Sequence, residues 1–221
     1  MTHALVIGAS GGIGAALALA LTDDGAQVTA QSRRADGMDL TDEASIAAAL
    51  AALSGPYDLI LVATGALTLA GQDPEKSLRA VTPDVLAAQF ALNATGPLLV
   101  LKHALRLMPR DVPCRFAVLS ARVGSIGDNE LGGWYSYRAA KAALNQLIHT
   151  AAIEVRRSHP QSVVVSLHPG TVDTDLTRTH RGTHPAVPPA DAARNLLHVL
   201  DALTPADSGG FFDWQGHSIP W

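Results

Sequence analysis

The chain has 221 residues, of which 48% are hydrophobic and 16% are charged. This balance excludes a disordered chain, and the length fits one α/β domain with a core of its own. The net charge of −4 argues against a general nucleic-acid binder, which needs a basic surface. A single cysteine, Cys114, leaves no internal disulfide and suits a reducing compartment. Because no basic leader precedes the first apolar run, and Gly, Pro, Lys or His interrupts the longest apolar runs, we expect a cytoplasmic protein with no membrane contact.

The first predicted strand leads into a candidate phosphate-binding turn. The apolar run Ala4 to Ile7 is followed at once by Gly8, Gly12 and Gly14, and then by an alanine- and leucine-rich helical run. In this order of strand, turn and helix, the glycines let the backbone approach a phosphate, and the helix N-terminus presents free N–H groups to it. A Walker-type loop would need Gly-Lys followed by Ser or Thr at the end of the turn. Ala15 follows Gly14 instead, so a Walker-type loop is excluded.

The end of the second predicted strand favours one form of the nicotinamide cofactor. Ser32, Arg33 and Arg34 follow the strand predicted at 26–31. A sheet that binds NAD usually has an acidic residue here, which contacts the ribose 2′-hydroxyl. A guanidinium can instead hold a 2′-phosphate in a bidentate contact. The sequence therefore predicts NADP(H) as the preferred cofactor, with NAD(H) possible.

Strands and helices alternate along the rest of the chain. Met38 to Leu40 is predicted to form the third strand, although a parallel crossover normally needs a dozen or more residues. The helix of this second crossover is therefore expected to be reduced to a loop. Further strands are predicted at 57–63, 115–119, 161–167 and 210–213. The pattern predicts a single domain over residues 1–221, a Rossmann-type α/β fold with a doubly wound parallel sheet of about seven strands.

Tyr137 and Lys141 form a candidate proton-transfer pair. They are four residues apart in a helix that is predicted to open after Gly132 and Gly133, so their side chains share one face. An ammonium group beside a phenol favours the phenolate, so we expect Lys141 to lower the pKa of Tyr137 towards neutrality. A tyrosine with such a pKa can pass a proton at physiological pH.

Three further polar residues are candidates for the same site. Asn93 lies in an apolar stretch just before a Gly-Pro break, and a buried amide must have partners. Ser120 and Ser125 follow the strand predicted at 115–119, and ligands of open α/β sheets bind beyond the carboxyl ends of strands. His180 and His184 have a ligand-like spacing, but Gly182 between them argues against a helix, and no metal site is predicted.

Taken in this order and spacing, these motifs resemble the short-chain dehydrogenase/reductase family over essentially the whole chain. The segment from Gly124 to Arg138 is similar to the subgroup of C-factor and sniffer-type carbonyl reductases. The resemblance implies an NADP(H)-dependent oxidoreductase that transfers a hydride between nicotinamide and a carbonyl or alcohol substrate. It also implies a homodimer or homotetramer. The substrate pocket is expected from residues 67–81, 126–136 and 176–188.

The family's functional roles can be assigned to matching residues of this chain. The resemblance implies that Tyr137 is the proton donor and acceptor, that Lys141 lowers its pKa and holds the nicotinamide ribose, and that Asn93 holds a water. The implied cofactor contacts are Gly8, Ser10, Gly12, Ile13 and Gly14 at the pyrophosphate, Arg33 at the 2′-phosphate, Asp39 and Leu40 at the adenine, Ala63 and Gly65 after the next strand, Tyr137 and Lys141 at the ribose, and Pro169, Gly170, Thr171 and Thr174 at the carboxamide.

One departure from the family pattern affects the catalytic serine. The family typically ends this strand with two serines and uses the second, whereas this chain has Ser120 followed by Ala121. Ser125 lies twelve residues before Tyr137, which is close to the family's usual spacing, so it is favoured, with Ser120 as the alternative. The departure also keeps open a second function, an NADP-binding signalling or regulatory protein with little turnover.

Overall fold

The computed structural model describes residues 2–69, 71–180 and 185–221. Within these residues, six parallel strands form one sheet in the order β2-β1-β3-β4-β5-β6. The strands are β1 His3–Ile7, β2 Gln27–Gln31, β3 Leu59–Val62, β4 Cys114–Leu119, β5 Ser162–His168 and β6 Phe211–Asp213.

Helices cover both faces of this sheet. In the described part of the chain they are α1 Gly12–Asp23, α2 Arg33–Asp36, α3 Glu43–Ala51, α4 Pro83–Phe90, α5 Gly96–Ala104, α6 Tyr135–Val155, α7 Asp175–Arg178 and α8 Pro189–Ala202. Alternate side chains of each strand point to opposite faces. Leu5 and Ile7 of β1 therefore join one core cluster with α3, α5 and α6, whereas Ala4 and Val6 join the other with α1 and α8. The predicted doubly wound α/β fold is confirmed.

The prediction of a strand at Met38 to Leu40 is wrong, and the described sheet has six strands rather than about seven. Met38 and Leu40 are buried in the core cluster that contains α3 and α5, but their segment pairs with no strand. The backbone N–H of Asp39 donates instead to Ser45 Oγ, at 2.9 Å. The apolar residues of this segment are buried because helices cover them, and not because the segment is a strand of the sheet. Without a strand at this position, the crossover from β2 to β3 contains both the single helical turn α2 and the helix α3, so it is not reduced to a loop as expected.

The helical stretch from Pro83 to Leu107 runs through the Gly96-Pro97 step without a break. A π-helical turn, Ala91–Thr95, joins α4 to α5 there. The helix break expected at Gly96-Pro97 is therefore absent, and by length and composition alone this stretch could cross a membrane. In the structure, Val100, Leu101 and Ala104 pack in the core beside the sheet.

The strand order places a topological switch point at β1. The chain passes from β1 to β2 on one side, then returns to β3 on the other side of β1. In open α/β sheets the ligand crevice lies beyond the carboxyl ends of the strands at this point. The turns that follow β1, β3, β4 and β5 therefore frame the candidate site.

Candidate active site

The glycine turn after β1 meets the start of α1 at the switch point. The N–H groups of Gly8 and Ala9 donate to the carbonyl of Gln31 at the end of β2, at 2.8 and 3.2 Å. A side chain at Gly14 would collide with the carbonyl of Gly8, so the close turn requires glycine there. No side chain of a described residue caps the N-terminus of α1. Its first N–H groups are thus available to an anion, as the sequence predicted.

The segment after β2 carries the two arginines. Arg33 and Arg34 are exposed at the start of α2, where Ser32 Oγ accepts a hydrogen bond from the N–H of Ala35. The two residues implied for the adenine are placed differently. Asp39 is partly exposed, and hydrogen bonds from Thr41 hold the pKa of its carboxyl below the usual range. The side chain of Leu40 is buried in the core, at 5% exposure.

Asn93 is fully buried in the π-helical turn and holds the chain that follows β3. Its Nδ2 donates to the carbonyl of Ala66 at 3.0 Å, and its Oδ1 accepts from the N–H of the same residue at 3.1 Å. Nδ2 also donates to Gln89 Oε1 at 2.5 Å, and Gln89 Nε2 donates to the carbonyl of Leu67 at 2.8 Å. Both hydrogens of the Asn93 amide are therefore used within the protein. Sequence analysis missed Gln89, which completes this clamp.

Gly65 lies between the clamp and the candidate pair Tyr137 and Lys141. A Cβ added to Gly65 would lie 3.0 Å from Asn93 Oδ1 and 3.6 Å from Lys141 Nζ. The clamp thus holds the turn after β3 directly beside the lysine. Ala63, the other residue implied there, directly follows β3 and is partly buried.

Tyr137 and Lys141 lie on the buried face of α6, at 7% and 2% exposure. Lys141 Nζ donates to the carbonyl of Leu119, the last residue of β4, at 2.8 Å, and lies 5.8 Å from the centre of the Tyr137 ring. Burial disfavours the charged form of each group. It lowers the pKa of Lys141 to about 7 and raises the pKa of Tyr137 above its ordinary value.

The expected lowering of the Tyr137 pKa is therefore wrong. The sequence-based argument considered the charge on Lys141 but not the removal of the phenol from water. The same burial also reduces the charge that Lys141 carries near neutral pH, and its Nζ is directed at a backbone carbonyl.

The two candidate serines are both buried but differ in their hydrogen bonds. Ser120 Oγ donates to Asn145 Oδ1 at 2.7 Å, so its proton is already committed. Ser125 Oγ accepts from the N–H of Asp128 at 3.1 Å, and no described residue accepts a hydrogen bond from it. Ser125 thus keeps a proton that it can donate.

The turn after β5 reaches back to the glycine turn. Pro169 and Gly170 directly follow this strand, and Thr171 is exposed beside them. Thr174 caps the short helix α7, and a Cβ at Gly12 would lie 2.7 Å from its Cγ2. Ser10 is exposed and Ile13 partly buried on the other side of this contact.

The three segments expected to form the substrate pocket meet at Trp134. Its indole is 6.3 Å from the Tyr137 ring and 6.0 Å from the His180 ring, edge to face in both cases. His180 Nε2 lies 3.2 Å from Thr68 Oγ1, which donates to Asp73 at 2.8 Å. Through these contacts, residues of the three segments 67–81, 126–136 and 176–180 pack against one another beside Tyr137.

No group of three or more metal-ligating side chains occurs among the described residues. His184, the partner of His180 in the spacing noted above, lies outside those residues, as do the other residues of 181–184.

Glu75 is a further functional candidate that sequence analysis missed. It lies in the irregular segment 67–81, yet it is only 4% exposed. Its Oε2 accepts a hydrogen bond from the backbone N–H of Ser136 at 3.2 Å, next to Tyr137. An acidic residue in a polar loop normally lies in solvent, so the sequence alone gives no reason to place it at this site.

Taken together, these features define a dinucleotide-binding fold of the Rossmann type with a tyrosine–lysine pair at the carboxyl ends of its strands. Residues 2–184 match the family model described as short chain dehydrogenase. The chain therefore belongs to the short-chain dehydrogenase family of oxidoreductases, and the resemblance drawn from its motifs is confirmed.

Three known proteins illustrate the relationship. The chain is 31% identical to 1-hydroxy-2-glutathionyl-2-methyl-3-butene dehydrogenase of Rhodococcus sp. over the full length of both proteins. It is 39% identical to the C-signal protein of Myxococcus xanthus over 137 residues, which cover 62% of this chain and 78% of that protein. The crystal structure of NADPH-bound carbonyl reductase from chicken fatty liver has a TM-score of 0.82 and 25% identity, and the match covers 100% of this chain and 94% of that one.

Proposed function

We propose that the protein is an NADP(H)-dependent oxidoreductase that transfers a hydride between nicotinamide and the carbon of a carbonyl or alcohol. The observation that carries the proposal is the burial of Tyr137 and Lys141 on one face of α6, beside Gly65 and the end of β4. A buried phenol and amine at a cofactor crevice are expensive to maintain for structure alone. The NADPH-bound carbonyl reductase and the Rhodococcus dehydrogenase named above support the same chemistry.

The residues at the switch point fit a dinucleotide. The N-terminus of α1 has no side-chain cap among the described residues, which leaves its N–H groups for a pyrophosphate. Thr64 Oγ1, in the turn after β3, is buried with no hydrogen-bond partner in the described chain. Arg33 is exposed at the end of β2, where a guanidinium would bind a 2′-phosphate. When bound, NADPH supplies the hydride.

Tyr137 performs the proton transfer. During reduction the phenol donates its proton to the carbonyl oxygen as that oxygen gains the electron pair of the C=O bond, and during oxidation the phenolate accepts the alcohol proton. Burial keeps the phenol protonated near neutral pH, so Tyr137 holds the proton that the reduction consumes. The phenolate formed in this step favours the ammonium form of Lys141, whose pKa of about 7 lets it gain that charge near neutral pH.

Ser125 polarises the substrate carbonyl in this scheme. Its hydroxyl proton is free among the described residues, whereas the proton of Ser120 is donated to Asn145. A hydrogen bond to the carbonyl oxygen strengthens as negative charge develops there, which stabilises the transition state.

A second function is supported by two specific observations. Ala121 stands where the resemblance implies a catalytic serine, and the C-signal protein is 39% identical over the matched region. An NADP-binding signalling or regulatory protein with little turnover would need the cofactor crevice but not the proton transfer.

Replacing Tyr137 by Phe tests the proposed chemistry. The purified protein is assayed for NADPH oxidation against a panel of ketones, aldehydes and diketones. We expect Tyr137→Phe to lower kcat by about a hundredfold or more, because the general acid is lost, while NADPH still binds. An undiminished rate in Tyr137→Phe would contradict the mechanism. A wild-type protein that binds NADPH tightly but turns over none of these substrates would favour the signalling function.

The two serines provide a matched comparison in the same assay. Ser125→Ala is expected to lower kcat by about 10²-fold, the typical cost of losing one donor to a developing oxyanion. Ser120→Ala is expected to lower kcat much less and to act mainly on thermal stability, since it breaks a buried hydrogen bond. The opposite ranking of the two kcat values would assign the role to Ser120.

Arg33 is tested through cofactor selectivity. Arg33→Ala is expected to weaken NADPH binding by about 1.5–3 kcal/mol, the usual worth of a hydrogen bond to a charged group, and to leave NADH binding little changed. Arg34→Ala, at the neighbouring exposed position, is the control. Dissociation constants from cofactor fluorescence provide the measurement, and an equal loss of NADPH and NADH affinity would refute the 2′-phosphate contact.

A further inference from the structure

The N-terminus of α6 is capped by a distant residue rather than by its own sequence. The N-cap position is Trp134, whose indole makes no capping hydrogen bond. Glu75, which lies 61 positions before Ser136, takes its place. The Glu75 carbonyl accepts from the N–H of Trp134 at 2.6 Å, and its Oε2 accepts from the N–H of Ser136 at 3.2 Å. Two donors at the start of α6 are therefore satisfied by one residue of the loop.

The segment that leads into α6 has a left-handed backbone conformation, and the hydrogen bond to Glu75 helps to stabilise it. Gly132, Gly133 and Trp134 have successive φ values of 65°, 68° and 53°. The left-handed region is disfavoured for a residue with a side chain, so Trp134 is held there by its surroundings. The hydrogen bond from its N–H to Glu75 is one such restraint, and it directs the indole towards the Tyr137 and His180 rings.

The burial of Glu75 fits a role at this helix end. Carboxylates are almost never fully buried without a partner, yet Glu75 is 4% exposed. The free N–H groups and the positive end of the helix dipole at the start of α6 stabilise a negative charge there. Tyr137 is the third residue of α6, so the capped turn is the one that carries the phenol.

We propose that Glu75 is a positioning residue for the proton transfer, acting by fixing the first turn of α6 and thereby the phenol of Tyr137. The proposal rests on the role of Tyr137 under the proposed function. Glu75 itself contacts the backbone of Trp134 and Ser136, and it acts on the reaction through them. A small displacement of a reacting group can cost two orders of magnitude in rate, so loss of the cap should appear in kcat.

Three variants test the proposal. Glu75→Met fills the same buried space but removes the side-chain acceptor, and Glu75→Gln keeps an acceptor oxygen. As the control, Glu154→Met makes the same change at an exposed position far along α6. Three quantities are measured for each: kcat with the best carbonyl substrate, the dissociation constant of NADPH, and hydrogen exchange of the peptide that spans residues 134–141. Glu75→Met is expected to lower kcat by about ten- to a hundredfold, to leave NADPH affinity unchanged, and to speed exchange in this peptide.

Glu75→Gln is expected to restore most of kcat and of the protection, and Glu154→Met to match the wild type. A wild-type kcat in Glu75→Met, or a Gln variant as impaired as Met, would overturn the proposal. The exchange measurement separates this result from failure of the proposed function. If no protein in the series turns over a carbonyl, unchanged exchange in Glu75→Met overturns the capping role, and faster exchange supports it while the proposed function fails.

Discussion

The buried amine of Lys141 is the constraint around which the site is arranged. An amine in the protein interior must keep hydrogen-bond partners and must lose part of its charge near neutral pH. Its Nζ meets the first requirement by donating to the carbonyl of Leu119, which ties α6 to the end of β4. The side-chain-free surface of Gly65 leaves room beside it, and Tyr137 lies one turn earlier on the same helix face.

The parts around this lysine are held by hydrogen bonds from side chains to distant backbone. Asn93 and Gln89 hold the segment at Ala66 and Leu67, and Glu75 holds the start of α6. Such bonds fix a loop without requiring a helix or strand there, and they leave the surfaces of the segments free for ligands. Reacting groups carried on restrained turns lose little freedom when the substrate binds, which is the condition for efficient orientation.

Sequence patterns predicted those features that depend on local spacing. The glycine turn before α1, the shared face of Tyr137 and Lys141, and the alternation of strands with helices all follow from short-range rules. The prediction of a strand at Met38 to Leu40 was wrong because an apolar run indicates only that a segment is buried. A segment buried under α5 shows the same apolar pattern as a strand within the sheet. Leu40, in the same segment, has its side chain in the core.

Features that depend on long-range packing could not be predicted. Glu75 and Ser136 are 61 residues apart, and an acidic residue in a polar loop gives no indication that it caps a distant helix. The direction in which the pKa of Tyr137 shifts was also predicted wrongly. Sequence spacing identifies the neighbouring charge of Lys141 but not the removal of both side chains from water. Desolvation of the phenol outweighs the influence of the nearby amine on the Tyr137 pKa.

The most direct test of this account is the titration of Lys141 itself. The sequence has only three lysines, Lys76, Lys102 and Lys141, so NMR of ¹³Cε-labelled lysine can follow each one in the cofactor-free protein. The resonance that is absent from Lys141→Met identifies the buried amine. Burial predicts that this resonance titrates near pH 7. A midpoint near the ordinary lysine value of about 10.4 would contradict the account, because it would show that the amine is not desolvated at the site.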